Sequence, residues 1–181
     1  SVANSIGYPV VLKASGENLQ HKTEHDLIRV NHKDASQFRQ AYTEILEEST
    51  FPITEVLVQQ MLKGNRELLA GLKRDSQFGP CVVFGLGGIL AEILEDVSIR
   101  VAPITTFDAM DMMENIRGKK ILEPFRGKPQ VDRKALAELL IALGTIGLEN
   151  SAVAEIDINP IKLIDGRPVA VDALVVLEKS P

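Results

Sequence analysis

The sequence is poor in the residues that mark several large protein classes. It has no Trp, two Tyr and six Phe, too few aromatic faces for the stacking platforms on which single-stranded nucleic acids lie. Lys and Arg number 20 against 25 Asp and Glu, giving a formal net charge of −5 and a pI near 5.3. No block of basic residues occurs, which argues against a nucleic-acid or anionic-membrane surface. The single cysteine, Cys81, cannot close an internal disulfide and points to a reducing compartment, the cytoplasm. The longest uncharged apolar run, 81–91, contains Gly85, Gly87 and Gly88 and falls short of the roughly 18 residues a membrane span needs. The opening SVANSIGYP lacks the basic and apolar regions of a signal peptide and reads as a cut inside a longer protein. Neither GxxxxGK[ST] nor GxGxxG is present, and three His with one Cys form no zinc-site spacing.

What is there alternates between strand and helix patterns. At 181 residues one domain or two small lobes with a sizeable core are expected. Residues 8–13, β-branched and apolar, read as a strand that delivers Lys13 at its end. A polar loop follows, closing in a short strand near 27–30. Asp34 and Gln37 resemble a helix start, and Phe38, Ala41, Tyr42, Ile45 and Leu46 recur at helical spacing, which predicts a helix over about 34–48. The runs 55–61, 66–73 and 81–84, separated by turn residues, predict an antiparallel three-strand meander. A short strand is expected at 99–102, and helices at 105–116 and 132–147. The charged stretch 119–130 between those helices reads as a surface connection.

The end of the chain carries the sharpest local signal. Asp165-Gly166 between the apolar runs 152–164 and 168–177 predicts a hairpin with a two-residue turn. Placing Ile164 opposite Arg167 makes paired positions sum to 331, so Asn159 falls opposite Asp172. Strand alternation then sets Glu155, Asp157, Asn159 and Asp172 on one face and Ile156, Ile158, Val171 and Ala173 on the other. That polar face is either a solvated edge or a seat for a hard cation such as Mg²⁺, which takes one or two protein oxygens and leaves the rest to water and phosphate. Repulsion among the three carboxylates favours the cation. Lys13 is either a snorkelling surface lysine or a phosphate contact. The GLGG stretch at 85–88 is either a tight turn or a loop whose backbone N–H groups approach a phosphate. His21, in a polar loop, is either a solvated side chain or a ligand, base or phosphoryl acceptor.

The segments GYPVVLK at 7–13, LQHKTE at 19–24, EVLVQQM at 55–61, RELLAGLKRDSQFGP at 66–80, VFGLGGILAEILEDVSIRVAP at 83–103 and AEIDINPIKLIDGRPVAVDA at 154–173 together resemble the ATP-grasp domain of the NDP-forming acyl-CoA synthetases, related to the beta subunit of succinyl-CoA synthetase. The resemblance implies an α/β ATP-grasp fold, truncated at its N-terminus, with a partial small lobe at 1–57 and a larger antiparallel-sheet lobe at 58–181. It implies ATP or ADP with Mg²⁺ as cofactors and the reaction acyl-CoA + ADP + phosphate ⇌ acid + CoA + ATP. The implied partners are a CoA-binding domain or alpha-type subunit, CoA and a small acid.

The residue roles it implies are as follows. Lys13 contacts nucleotide phosphate. Val58, Gln59, Gln60 and Met61 form a hinge whose backbone reads adenine, with Gln60 where many members have Glu. Glu67 lies at the nucleotide pocket, Gly87 and Gly88 in the phosphate loop, and Glu92 and Arg100 at the charged positions that follow. Asn159 and Asp172 hold Mg²⁺, with Asp157 beside them. His21 relays a phosphoryl group, although the loop continues as His25-Asp-Leu-Ile28 where members commonly have Val-Gly-Gly-Val. The altered loop motivates an alternative, a non-catalytic regulatory module of a protein acetyltransferase fusion. A carboxylate–amine ligase of the wider superfamily is a third reading.

Overall fold

Val10, Leu12 and Ala14 are fully buried along one side of β1 (Val10–Ser15), the strand around which the N-terminal part is built. The computed structural model describes residues 2–16, 27–50 and 52–178, and the chain divides into two compact units, Ser1–Leu62 and Lys63–Pro181. In the first unit, α1 (Val2–Ile6) precedes β1, and β2 (Ile28–His32), α2 (Ala35–Glu48) and β3 (Glu55–Gln60) follow. The strands form an antiparallel sheet in the order β2-β1-β3. Ala14, Leu27 and Ile45 are buried together, with Ile53 and Val56 packed against them. α2 begins where its sequence signature places it: Asp34 accepts hydrogen bonds from the amides of Ser36 (2.8 Å) and Gln37 (2.9 Å), satisfying two of the donors a helix start leaves open.

The second unit is a six-stranded antiparallel sheet in the order β6-β5-β4-β7-β8, with β9 also on β7. Its elements are β4 (Glu67–Asp75), β5 (Gly79–Leu86), α3 (Ile89–Leu94), β6 (Val97–Val101), α4 (Thr106–Asn115), a 3-10 turn (Lys119–Leu122), α5 (Arg133–Glu149), β7 (Val153–Ile164), β8 (Arg167–Ala170) and β9 (Leu174–Leu177). One core joins Leu68, Ala70 and Leu72 of β4 and Val82, Phe84 and Leu86 of β5 to Met112 and Met113 of α4 and Leu136, Leu140 and Leu143 of α5. The helices thus cover one sheet face. On the other face of β4 lie Glu67, Leu69, Gly71 and Lys73, as strand alternation requires. Two buried side chains fix the connections. Arg66 donates to the carbonyls of Ile121 (3.2 Å), Glu123 (3.3 Å) and Pro129 (2.9 Å), and Asp96, 5% exposed, accepts from the amides of Arg117 (2.8 Å) and Gly118 (2.6 Å). Among the described residues no helix is long and apolar enough to cross a membrane.

The structure corrects three expectations. Of the three-strand meander only the β4–β5 pairing forms: β3 pairs with β1, and the other neighbour of β4 is β7. Local turn chemistry could not reveal that this second partner of 66–73 lies some ninety residues further on. The contact division falls after Leu62, which keeps β3, matched to β1 from Glu55 opposite Ser15 to Gln60 opposite Val10, within the first unit. The run 168–177 is two strands, β8 and β9, with 171–173 outside both. Finally, α1 and α3 occupy stretches assigned no helix. In α3 the apolar residues Ile89, Leu90, Ile93 and Leu94 are all exposed, so the contrast of faces that marks a core-packed helix is missing.

Candidate functional site

The glycine-rich turn after β5 sits against the start of β4. Gly87 donates its amide to the carbonyl of Glu67 (2.9 Å), and Gly88 donates its amide to Asn159 Oδ1 (3.0 Å). A Cβ on Gly87 would collide with the Leu68 carbonyl oxygen, and one on Gly88 with Glu67 Oε2. Gly88 also has φ 59°, ψ −145°, a region that side-chain-bearing residues avoid. Gly87 is therefore required by its close approach to the Leu68 backbone, and Gly88 by its backbone conformation. The expected row of backbone N–H groups open to a phosphate is not what residues 87 and 88 present here: both amides already have partners inside the protein.

Glu67 brings the charge to this cluster. Its Oε1 lies 3.1 Å from Lys162 Nζ, with the two side chains 25% and 20% exposed. Lys162 Nζ also donates to the Gly64 carbonyl (3.1 Å). The strand register explains the meeting, because Glu67 is directly opposite Lys162 across the β4–β7 ladder. Lys162 was not singled out from the sequence. The arithmetic that would have found it, Glu67 against Lys162, needs the β4–β7 pairing that the meander expectation replaced.

Asn159 reaches Gly88 through a β-bulge. Glu67–Lys162 and Leu68–Ile161 keep one register, Ala70–Ile158 and Gly71–Asp157 another that differs by one residue. The extra residue re-aims its neighbours: burial shifts from Ile156 on one parity to Ile161 and Leu163 on the other. Across the hairpin, Ile164–Arg167 and Ile161–Ala170 sum to 331, and so do Asp157–Leu174 and Ile156–Val175. Between them the Val171 amide donates to the Pro160 carbonyl (3.0 Å). The same count sets residues 159 and 172 opposite one another at the gap in the ladder. Asp157, opposite Gly71, lies on the sheet face away from the helices, the face that also carries Glu67 and Lys162.

The remaining candidates are dispersed. Arg100 pairs with Val82, a core residue, so it is on the helix-covered face, where it makes an ion pair with Asp111 of α4. The sheet separates it from Glu67 and Asp157. Glu92 is exposed in the first turn of α3. Lys13 lies in the middle strand of the first unit, 4% exposed, opposite Ile28 and Leu57. Val58, Gln59 and Gln60 belong to β3, an edge of that sheet, and Met61 donates its amide to the Pro9 carbonyl (3.0 Å). Antiparallel bonding alternates along a strand, so Gln59 and Met61 bond toward β1 while the N–H and C=O groups of Val58 and Gln60 point to the open edge. His21 lies outside the described residues.

Among the described residues no three His, Cys, Asp and Glu side chains converge as a metal cage. Asn159 and Asp172, set opposite one another by the register on either side of the gap, and Asp157 two residues along β7 carry hard oxygen donors. That set suits Mg²⁺, which is commonly held by one or two protein oxygens plus phosphate and water. The Gly88 amide on Asn159 Oδ1 gives the amide group a fixed orientation, as supporting hydrogen bonds do for ligands.

The ATP-grasp domain family model matches residues 1–177. The beta subunit of acetate–CoA ligase [ADP-forming] I from Pyrococcus furiosus is 40% identical over 180 residues, covering 97% of this chain and 78% of that subunit. Acetate–CoA ligase [ADP-forming] I from Archaeoglobus fulgidus is 40% identical over 181 residues, of which this chain spans 26%. The acetyl-coenzyme A synthetase 1 of Ca. Korarchaeum cryptofilum superposes with a TM-score of 0.91 at 40% identity in its complex with coenzyme A and Ca-AMPCP, covering 97% of this chain and 79% of that one. In its complex with coenzyme A and Mg-AMPPCP, whose phosphohistidine segment points towards the nucleotide-binding site, the TM-score is 0.84, with the same coverage. The chain belongs to the ATP-grasp domain family found in ADP-forming acetyl-CoA synthetases.

Proposed function

We propose that this chain is the nucleotide-binding part of an ADP-forming acyl-CoA synthetase, an acid–thiol ligase catalysing acyl-CoA + ADP + phosphate ⇌ acid + CoA + ATP together with a CoA-binding domain or alpha-type subunit. The observation that carries the reading is the Gly88–Asn159 hydrogen bond. It ties the glycine turn to one of the oxygen donors proposed for the divalent ion, in a chain 40% identical to the beta subunit of such an enzyme. In this reading the outward backbone groups of Val58 and Gln60 read the adenine, and Lys13 offsets phosphate charge. Asn159 and Asp172, with Asp157 alongside, hold Mg²⁺, which when bound neutralises phosphate charge and orients the transferring group.

His21 carries the phosphoryl group. Its ring nitrogen attacks the phosphorus of an acyl phosphate, the P–O bond to the acyl oxygen breaks, and the carboxylate leaves. An oxygen of ADP then attacks the same phosphorus, the P–N bond breaks, and ATP and free imidazole result. Arg100, held by Asp111 on the covered sheet face, takes no part in this reading. The test is labelling with [γ-³²P]ATP in the presence of the CoA-binding partner. The expected result is an acid-labile protein label that His21→Ala abolishes while nucleotide binding persists. Nucleotide binding without any label would overturn the relay.

A further inference from the structure

Lys162 is a residue to which the resemblance assigned no role, yet it stands at the centre of the cluster. Its ammonium touches Glu67 Oε1 (3.1 Å) and the Gly64 carbonyl (3.1 Å). Glu67's other oxygen lies against Gly88, so close that a single added methyl there would overlap it. The amide of Gly88 is in turn bonded to Asn159 (3.0 Å). A chain of direct contacts therefore runs from Lys162 through Glu67 and Gly88 to Asn159, and it places a carboxylate within about one Debye length, roughly 8 Å at physiological salt, of the side chain proposed to hold the Mg²⁺ that meets nucleotide phosphate.

An unbalanced carboxylate there would repel a nucleoside diphosphate. Asp157 and Asp172 add charge of the same sign nearby. Lys162 is only 20% exposed and Glu67 25%, so water screens the pair less than it would two surface charges. The second bond, to Gly64, keeps the ammonium from turning away to solvent.

We infer that Lys162 is a positioning residue for nucleotide phosphate: it fixes the Glu67 carboxylate over Gly88 and cancels the charge that would otherwise oppose phosphate at Asn159. This rests on the nucleotide-site reading above. A plain strand brace between β4 and β7 would behave differently, affecting stability and all ligands alike.

The experiment is calorimetric titration of the full chain with MgADP and, separately, with adenosine, which lacks phosphate. Lys162→Met should weaken MgADP by roughly five- to tenfold, the size of one unit charge at this distance in a partly screened setting, and leave adenosine unchanged. Lys162→Arg should retain MgADP affinity. Lys162→Met combined with Glu67→Gln should recover most of the loss, because the uncompensated carboxylate is gone. The inference is overturned if Lys162→Met binds MgADP as wild type does, if adenosine weakens in parallel, or if the double variant is no better than the single. Should Lys162→Met not fold, Lys162→Gln decides in its place, because it keeps a hydrogen-bond donor for the Gly64 carbonyl but not the charge: MgADP should weaken as expected for Lys162→Met, and binding like wild type sinks the idea. A wild-type chain that binds neither ligand refutes the nucleotide-site reading itself, whereas wild-type binding with unaltered variants refutes only the role of Lys162.

Discussion

Gly88→Ala isolates how much the glycine turn depends on having no side chain. Two costs are built into the site. At φ 59°, ψ −145° a residue with a Cβ is strained by about 1–3 kcal/mol. The new methyl would also land on Glu67 Oε2, the mobile end of a side chain whose displacement costs at most its partly buried pair with Lys162, about 1 kcal/mol. The sum is a destabilisation of about 1–4 kcal/mol. Urea unfolding followed by far-ultraviolet circular dichroism reads it directly. Adding Glu67→Ala to Gly88→Ala should cost little more, because the Lys162 pair is already lost and the backbone conformation is untouched. A Gly88→Ala protein within about 0.5 kcal/mol of wild type would show that the turn relaxes freely and would refute the reasoning.

Two further outcomes follow from the caps and the buried acid. Burial works to raise the Asp96 carboxyl, but the hydrogen bonds from the Arg117 and Gly118 amides, helped by the Arg117 guanidinium, hold it below the usual carboxylate range. A lowered folded value means the unfolded chain binds the proton more readily. The stabilisation is present above the unfolded value of about 3.9 and lost as pH falls through the lower folded one; melting temperature against pH should show this acid limb, and Asp96→Asn should flatten it. Asp34→Ala should cost about 1 kcal/mol by removing the acceptor for the Ser36 and Gln37 amides, with Asp34→Asn close to wild type, measured by chemical denaturation.

What could be read from the chain beforehand was local. Asp34, Thr105 and Asp132 cap α2, α4 and α5, and each marks its helix by a short polar side chain whose chemistry needs no tertiary partner. Asp165-Gly166, with φ of 49° and 83°, fixed the hairpin count of 331, which survives on both sides of the gap. Long-range choices were not readable. Gln60 and Glu67 are close in sequence and both are strand residues, but β3 finds β1 and β4 finds β7, a decision made by which buried faces match. Lys162 followed from that decision, so a wrong partner strand hid it. Arg100 shows the reverse limit: its position after the glycine turn suggested the nucleotide site, while one step of strand alternation carried it to the helix side.

The interruption of the terminal hairpin at 171–173 has an evolutionary corollary. A continuous ladder from β8 through β9 would add cross-strand bonds and make this edge of the sheet more stable. It would also zip shut the opening where residues 159 and 172 face each other. Selection or engineering for heat resistance that regularises this hairpin should therefore extinguish the Mg²⁺ binding proposed for Asn159 and Asp172 before it harms folding, making this interrupted stretch the one least free to improve.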